Sequence, residues 1–243
     1  MRAPDVGSPP ALVVQDLHAW YGESHVLHGV DMTVSQGECV ALLGRNGAGR
    51  TTTLRAVFGL VGRRSGVVRV NGRDTEGRHT FEIARFGVAY CPEHRGIFSN
   101  LSCEENLLLP PTHAEGADRS MSLEQIYDMF PNLRTRRRAR GSVLSGGEKQ
   151  MLALARILRG GARLLLLDEI SEGLAPQIVD QLKEAISELA RKGYTILLVE
   201  QNLSFASELC DRMFFMEQGK IINEISRDEL DSEMEQITRL LSI

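Results

Sequence analysis

Long apolar runs are the first thing this sequence lacks: none approaches the roughly 18–20 residues that a membrane-spanning helix requires, so membrane association is expected only through a partner. Its four cysteines, Cys39, Cys91, Cys103 and Cys210, stand far apart and include no C-x-x-C pair. Neither a disulfide framework nor a zinc site is suggested, and a reducing cytosol fits. Basic excess is missing too: 28 Lys and Arg against 32 Asp and Glu leave a net charge of −4, which argues against nucleic acid as the main partner. Residues Met1 to Pro10 hold an acid, a glycine and three prolines instead of a basic segment followed by an apolar one. They read as a loose tail (1–9), not a signal peptide. With 42% hydrophobic content over 243 residues, the remainder suits one large globular domain or two intimate subdomains.

What is present is organised around one loop. Gly44-Arg45-Asn46-Gly47-Ala48-Gly49-Arg50-Thr51 follows the apolar run Cys39–Leu43 and leads into an expected helix from Thr52. It departs at one place from the phosphate-binding pattern G-x-x-x-x-G-K-[ST]. The glycines let the backbone curl so that successive N–H groups point inward, and the helix adds the positive end of its dipole. A di- or triphosphate is the natural occupant. Thr51 is placed to offer its hydroxyl to Mg²⁺, with Thr52 one residue deeper. The departure is Arg50, where the pattern has lysine. A planar fork replaces a compact point charge, and the two are not equivalent at a tight site.

Around the loop, the chain alternates strand and helix signals. Short β-rich runs, Leu12–Val14 and Val30–Val34, flank a polar stretch and suggest a strand-rich start. Tyr21 in that stretch is either a ring for an adenine base or a half-buried strand tyrosine. Cys39–Leu43 is expected to be a parallel strand covered on both faces, delivering its loop at the carboxyl edge where open α/β sheets bind ligands. Leu54, Val57, Phe58 and Val61 then recur at helical spacing, and Val67–Gly72 reads as a strand entering a tight turn. Phe86–Tyr90 is a second buried strand, stopped by Cys91-Pro92. Glu93, just beyond, is either a ligand for a metal or water or a solvated turn residue.

From Ser102 to about Gly160, helical runs with few β-branched residues read as a helical subdomain inserted in the α/β core. Within it, Arg134–Arg140 carries five arginines in seven residues, read as a solvated face in preference to a phosphate or lipid contact. Leu144-Ser145-Gly146-Gly147-Glu148-Lys149-Gln150 precedes a helix with apolar Met151, Leu154 and Leu158; Ser145 and Glu148 have capping-box spacing, and that helix end is free to face an anion. Leu164–Leu167 is a fully apolar strand ending in Asp168-Glu169. Asp168 can hold Mg²⁺, and Glu169, one residue further out, can polarise an attacking water: one acid neutralises metal charge and one stays free as base. Pro176–Lys192 reads as a crossover helix and Thr195–Val199 as a buried strand ended by Glu200-Gln201-Asn202. From Ser226, a capping box with Glu229 and apolar Leu230, Met234, Ile237 and Leu241 predict a terminal helix.

In this order, phosphate loop, helical insertion, Leu-Ser-Gly-Gly-Glu, apolar strand with Asp-Glu, and strand with a polar triplet, the chain resembles the ATP-binding subunits of ABC transporters from about Leu12 to Ile243. Gly44–Thr53, Glu104-Glu105-Asn106-Leu107, Ser171-Glu172-Gly173-Leu174-Ala175-Pro176 and Val199-Glu200-Gln201-Asn202 are similar to the second ATPase of branched-chain amino acid importers (LivF-type). The amide and urea importer ATPases share much of this. Arg50 in place of lysine, and Ile170 in place of the proline that usually follows Asp-Glu, depart even from that subgroup.

The resemblance implies an α/β, ABC-type P-loop NTPase fold within one ABC ATPase domain (10–243). Its parts would be a RecA-like α/β core (10–92 and 161–225) with an N-terminal antiparallel β-subdomain, an inserted helical subdomain (about 93–160) and a C-terminal helix (226–243). It implies ATP and Mg²⁺ as ligands, with Tyr21 stacking on adenine and Gly44, Arg45, Asn46, Gly47, Ala48, Gly49, Arg50, Thr51 and Thr52 around the phosphates. Thr51 and Asp168 would hold the metal and Glu169 would be the general base. Glu93 would sense the γ-phosphate, and Gln201 would stand at the switch-histidine position. Ser145, Gly146 and Gly147 would reach the nucleotide of an opposite subunit, so a head-to-tail dimer with a second ABC ATPase is implied. Integral-membrane permease subunits and a place on the cytoplasmic face of the cell membrane complete the expectation: ATP hydrolysis energising import of branched-chain or other small amino acids. Three rivals stand beside it. They are a hydrolysis-impaired regulatory subunit, motivated by Arg50; an amide or urea importer ATPase; and a soluble ABC ATPase of DNA repair or translation, which a short single cassette does not suit.

Overall fold

The computed structural model describes residues 9–110, 120–230, 232–234 and 237. Among the described residues, ten strands form two sheets. The first is antiparallel, in the order β2 (Ser24–Val34), β1 (Leu12–Tyr21), β4 (Arg63–Val70) and β5 (Arg73–Asp74). The second has the order β10 (Lys220–Ser226), β9 (Arg212–Glu217), β3 (Cys39–Gly44), β8 (Thr195–Glu200), β7 (Leu164–Asp168) and β6 (Val88–Cys91). It is parallel throughout except for the β9–β10 hairpin.

The eight α-helices among the described residues are α1 (Arg50–Val57), α2 (Thr80–Ala84), α3 (Cys103–Leu108), α4 (Leu123–Met129), α5 (Pro131–Thr135), α6 (Gly146–Arg159), α7 (Pro176–Arg191) and α8 (Leu203–Leu209). Strand order 3-8-7 in a parallel sheet demands crossovers, and α7 supplies one between β7 and β8.

The continuously apolar strands earn their composition by facing two cores. Along β3, Val40 and Leu42 join a cluster with α1 and the antiparallel sheet, whereas Cys39, Ala41 and Leu43 join one with α6, α7 and α8. β7 and β8 divide in the same alternating way: Leu165, Leu167, Ile196 and Leu198 to one side, Leu164, Leu166, Leu197 and Val199 to the other. Side chains that alternate across a sheet covered on both faces leave no polar position in the strand.

Several expectations change. The two short N-terminal runs are the ends of strands ten and eleven residues long, and the polar stretch between them is strand up to the Gly22-Glu23 turn. One face of that hairpin is open, so polar residues alternate with buried ones and mask the strand signal. Helix α1 begins at Arg50 instead of Thr52 and stops at Val57, so Val61 lies beyond it in a bend. Cys39 and Cys210, 171 residues apart in sequence, are brought to 3.3 Å between buried sulfurs. Of the arginine run, Arg134 pairs with Asp128 and Arg136 with Glu148, while Arg137 and Arg138 face solvent. The Ser226 capping box forms, but it caps a single 3-10 turn (Arg227–Glu229). Half of the expected terminal helix, Leu241 included, lies outside the described residues, although Ile237 is buried against the core.

Asn106, from the motif Glu104-Glu105-Asn106-Leu107, serves packing. Fully buried on α3, it accepts from Phe98 N (3.0 Å) and donates to the carbonyls of Phe98 (3.0 Å) and Ser102 (2.9 Å). The segment after β6 has no ladder of its own, and this side chain takes the place of one. The Phe98 and Ser102 carbonyls each keep a backbone donor, from Leu101 N and Asn106 N, so Asn106→Ala strands the Phe98 N–H and removes the amide's other bonds, and urea denaturation is expected to show a loss of about 1–3 kcal/mol.

Candidate functional site

The cleft at the carboxyl end of β3 has a volume of about 260 Å³ and is lined by Tyr21, Val26, Asn46, Gly47, Gly49, Arg50, Thr51, Thr52 and Glu169. The loop takes its shape from backbone crowding. A Cβ on Gly44 would lie 2.3 Å from the carbonyl oxygen of Met216 on β9, so only glycine lets the chain leave the sheet there. Ala48 and Gly219 are then joined by a backbone hydrogen bond of 2.8 Å, which fixes the loop to the β9–β10 turn. The amino end of α1 opens into the cleft with no acid in its first turn, leaving its N–H groups available to an anion.

Arg50 does not reach for solvent. It is buried, and its Nη2 donates to Glu169 Oε1 at 2.7 Å and to Asn46 Oδ1 at 3.1 Å. Its Nη1 is buried with no hydrogen-bond partner. A guanidinium nitrogen left unpaired in the wall of a cleft is a donor awaiting an acceptor. Glu169 itself sits at φ 48°, a left-handed conformation uncommon for a residue with a side chain, and its N–H donates to Val199 O at 2.9 Å. Burial first, then a hydrogen bond that the protonated carboxyl donates to Glu172, push the Glu169 carboxyl up to about 7, against the downward pull of Arg50. Protonation near neutrality is the property wanted in a general base.

Asp168, at the end of β7, is fully buried, yet both oxygens are engaged: Thr51 Oγ1 donates to Oδ1 at 2.9 Å and the Tyr90 hydroxyl to Oδ2 at 2.7 Å. Burial raises its pKa, while the two hydroxyl donors hold it down. Burial also raises that of Tyr90, with the Asp168 charge adding to it, so Tyr90 remains a proton donor.

The expected site residues therefore fall into three groups. Tyr21, Asn46, Gly47, Gly49, Arg50, Thr51, Thr52 and Glu169 line one cleft, with buried Asp168 bonded to Thr51 behind it, whereas Gly44, Arg45 and Ala48 do not line it. Glu93 is exposed, but one of its carboxylate oxygens lies within 4.8 Å of one from Glu169 and one from Glu172. Ser145, Gly146 and Gly147 are not in the cleft. Ser145 caps α6 by accepting from Glu148 N at 3.2 Å, and a Cβ on Gly147 would meet Ile178 of α7 at 2.7 Å, so this glycine is required by packing. Gln201 is exposed in the bend before α8, outside the cleft lining. Its neighbour Glu200 is the buried member of the triplet, bound to Ser171 N (3.1 Å) and Oγ (2.9 Å), and Asn202 caps α8.

Two participants escape a reading of the sequence. Tyr90 stands one residue before the end of β6 and carries no motif; only the pairing of β6 beside β7, with Tyr90 opposite Leu166, puts its hydroxyl on Asp168. Glu172 lies in a loop whose return toward Glu169 has no local signal, though it follows the Asp-Glu pair by three residues.

Comparison with known proteins bears on this geometry. Residues 27–172 match the model of the ABC transporter family. The high-affinity branched-chain amino acid transport ATP-binding protein BraG of Pseudomonas aeruginosa is 41% identical over 203 residues, covering 84% of this chain and 87% of that protein. A probable branched-chain amino acid transport ATP-binding protein LivF of Archaeoglobus fulgidus is 34% identical, covering 88% and 91%. Among solved structures, the ATP-binding subunit of an ABC transporter superposes with a TM-score of 0.79 at 29% identity, over 96% of this chain and all of that one.

The Glu169 titration has a stability consequence. A carboxyl raised from 4.5 to about 7 by folding binds its proton more tightly in the native state than in the unfolded one. Its contribution is therefore complete below about 4.5 and is lost as pH climbs through about 7. Urea denaturation at pH 5 and pH 8 is expected to show a decrease on the order of 2 kcal/mol that is absent in Glu169→Gln.

Proposed function

The chain belongs to the ABC transporter family and is an ATPase of that family, and from that premise we propose that it energises import of branched-chain or other small amino acids through ATP binding and hydrolysis. The observation that carries this reading is the convergence of the phosphate loop, Asp168 and Glu169 on one cleft, with Tyr21 at its rim. In this reading Tyr21 stacks on adenine, and the N–H groups of Gly44–Gly49 and of the first turn of α1 hold the phosphates, as an anion at a helix end requires. Arg50 Nη1 supplies the cationic contact that lysine makes elsewhere.

The donor set fits Mg²⁺: Thr51 Oγ1 and Asp168 Oδ1, 2.9 Å apart, are the hard oxygen ligands this ion takes. Bound there with ATP, it would neutralise phosphate charge. Tyr90 keeps the carboxylate of Asp168 turned toward Thr51. Glu169 takes the proton of the attacking water, and Glu93 and Gln201 respond to the γ-phosphate.

Separation of Ser145-Gly146-Gly147 from the cleft supports a head-to-tail dimer in which the partner's copy completes each site. The permease is proposed to dock at the groove of about 330 Å³ lined by Phe58, Tyr90, Pro92, Arg156 and Ile157 among others, near exposed Phe98 and Leu108. Its mostly apolar walls suit a short amphipathic helix. No helix among the described residues is long and apolar enough to cross a membrane, so attachment to the cytoplasmic face is proposed to run through the permease. The division into tail (1–9), core (10–92 and 161–225), helical region (about 93–160) and terminal helix (226–243) belongs to the same proposal.

One observation favours a second reading, a subunit that binds nucleotide and hydrolyses it poorly. Arg50 engages the very carboxylate proposed as base, at 2.7 Å. Mg²⁺-dependent ATP turnover and nucleotide affinity, measured for the native chain, Arg50→Lys and Glu169→Gln, decide between them. The importer-motor reading expects the native chain to turn over within about tenfold of Arg50→Lys. It also expects Glu169→Gln to bind ATP while losing about 10²-fold or more in rate, and the native pH profile to rise near 7, with ionisation of Glu169. A native chain that is inert beside an active Arg50→Lys assigns it the regulatory role.

A further inference from the structure

The open face of the antiparallel sheet carries a histidine cluster that the nucleotide chemistry does not use. His18 of β1 stands directly opposite His28 of β2, and Trp20 opposite His25, in the strand register. The His25 ring lies between two others, stacked on Trp20 at 4.4 Å and 12° and tilted against His28 at 4.0 Å. At its edge, His25 Nε2 and His18 Nδ1 are 3.0 Å apart. The remaining nitrogen of His18, Nε2, lies 3.0 Å from Asp16 Oδ1. Asp16 is the bulged residue of β1, held at φ 47° with its N–H on Asp31 Oδ1 at 2.9 Å. Bulges re-aim side chains, and this one turns a carboxylate onto an imidazole.

We propose that His18 and His25 form a binding site for a late first-row divalent transition ion, Cu²⁺ or Ni²⁺, with Asp16 as its outer-shell carboxylate. Proton accounting leads there. An ionised Asp16 only accepts, so His18 Nε2 is the donor, and a neutral His18 presents its Nδ1 lone pair to His25. The His25 ring has a further hydrogen bond with the Leu27 backbone. With the His25 proton on the nitrogen facing Leu27, two lone pairs converge across 3.0 Å. A cation bound by both from one side of the line that joins them gives all four ring nitrogens a matched partner. A metal-free pair must instead place a proton in the gap. Binding requires that His25 move its ring proton from one nitrogen to the other through solvent, with no net proton lost, and that the two rings tilt off their shared N···N line so that both lone pairs meet at the ion.

Geometry selects the ion. Nitrogens 3.0 Å apart, at metal–nitrogen bonds of about 2.0–2.1 Å, subtend about 95°. That is the cis angle of a square-planar or octahedral ion, narrower than a tetrahedral one, and water completes the sphere. The carboxylate–imidazole contact is the outer-shell arrangement that orients metal-binding histidines. Stacking holds the His25 ring in place before any ion arrives. Asp16 and Asp31 offset Arg63, whose guanidinium lies 4.4 Å over Trp20. The hairpin so braced ends in Tyr21; any effect on nucleotide rests on the function proposed above, whereas ion binding does not.

Trp20 is the single tryptophan of the chain and reports the site directly. Cu²⁺ and Ni²⁺ are titrated into the full chain, without a polyhistidine tag, following Trp20 fluorescence and, in parallel, heat of binding. Saturable quenching with one ion per chain is expected. His18→Ala and His25→Phe should each weaken it by about tenfold or more, and Asp16→Asn by about tenfold, with His79→Ala unchanged. His25→Phe keeps a ring beside Trp20 while removing the ligand, and a thermal melt confirms that each variant is folded. Absence of saturable quenching in the native chain, or quenching that survives both histidine substitutions in folded protein, overturns the proposal.

Discussion

A carboxylate with no exposed surface cannot stand alone, and the arrangement of this molecule follows from how Asp168 is accommodated. Its two oxygens take hydroxyl protons from Thr51 on α1 and Tyr90 on β6, at 2.9 and 2.7 Å. Those two hydroxyls belong to segments 39 residues apart, on either side of the strand that carries Asp168. Satisfying one buried charge therefore ties together the phosphate loop, an edge strand and the sheet centre. An unpaired carboxylate in the same place would cost several kcal/mol or be forced to protonate. Glu200 repeats the device one strand over, where Ser171 supplies both donors.

Beside this fixed point, the Arg50–Glu169 pair is the part of the site free to change. A lysine nitrogen is a single centre that must choose among its partners. A guanidinium is a fork with several N–H groups in one plane, and here Nη2 serves Asn46 and Glu169 while Nη1 is left over. The arginine thus contacts an acid and still has one unpaired donor, buried beside the cleft. Glu169 gains from that contact and loses by burial and by the nearness of Glu172, and the balance leaves its proton exchangeable near neutral pH. Arg50 is thereby wired to the residue best placed to move a proton, which makes its identity a determinant of chemistry as well as of affinity.

The two faces of the parallel sheet divide the work. One packs on α1 and the antiparallel sheet, whose hairpin brings Tyr21 to the cleft. The other packs on α6 and α7, where the Gly147–Ile178 contact presses the helices together and leaves Ser145 and Gly146 exposed at a helix end. The groove at the border of the two regions is lined by Tyr90 and Arg95. Tyr90 is therefore shared between the groove wall and the hydroxyl shell of Asp168, a direct mechanical link between the groove proposed for docking and the buried acid.

Much of this was legible in the residues. Unbroken apolar runs before Gly44 and Asp168 announced strands covered on both faces, because a strand with two buried faces has nowhere to put a polar side chain. The spacing of Ser145 and Glu148 announced a capped helix, because the capping box is closed by residues three apart and needs no tertiary help. The loop, the order of motifs and the family were likewise readable, since each rests on contiguous sequence. Only the fold decided what depends on pairing between distant segments. The β6–β7 register put Tyr90 on Asp168, the bulge at Asp16 aimed a carboxylate at His18, and parallel β3 and β9 brought Cys39 beside Cys210. Above all, Arg50 was legible as a substitution but not as a partner of Glu169. Nothing in a local pattern specifies where a long, forked side chain will find its counter-charge 119 residues away.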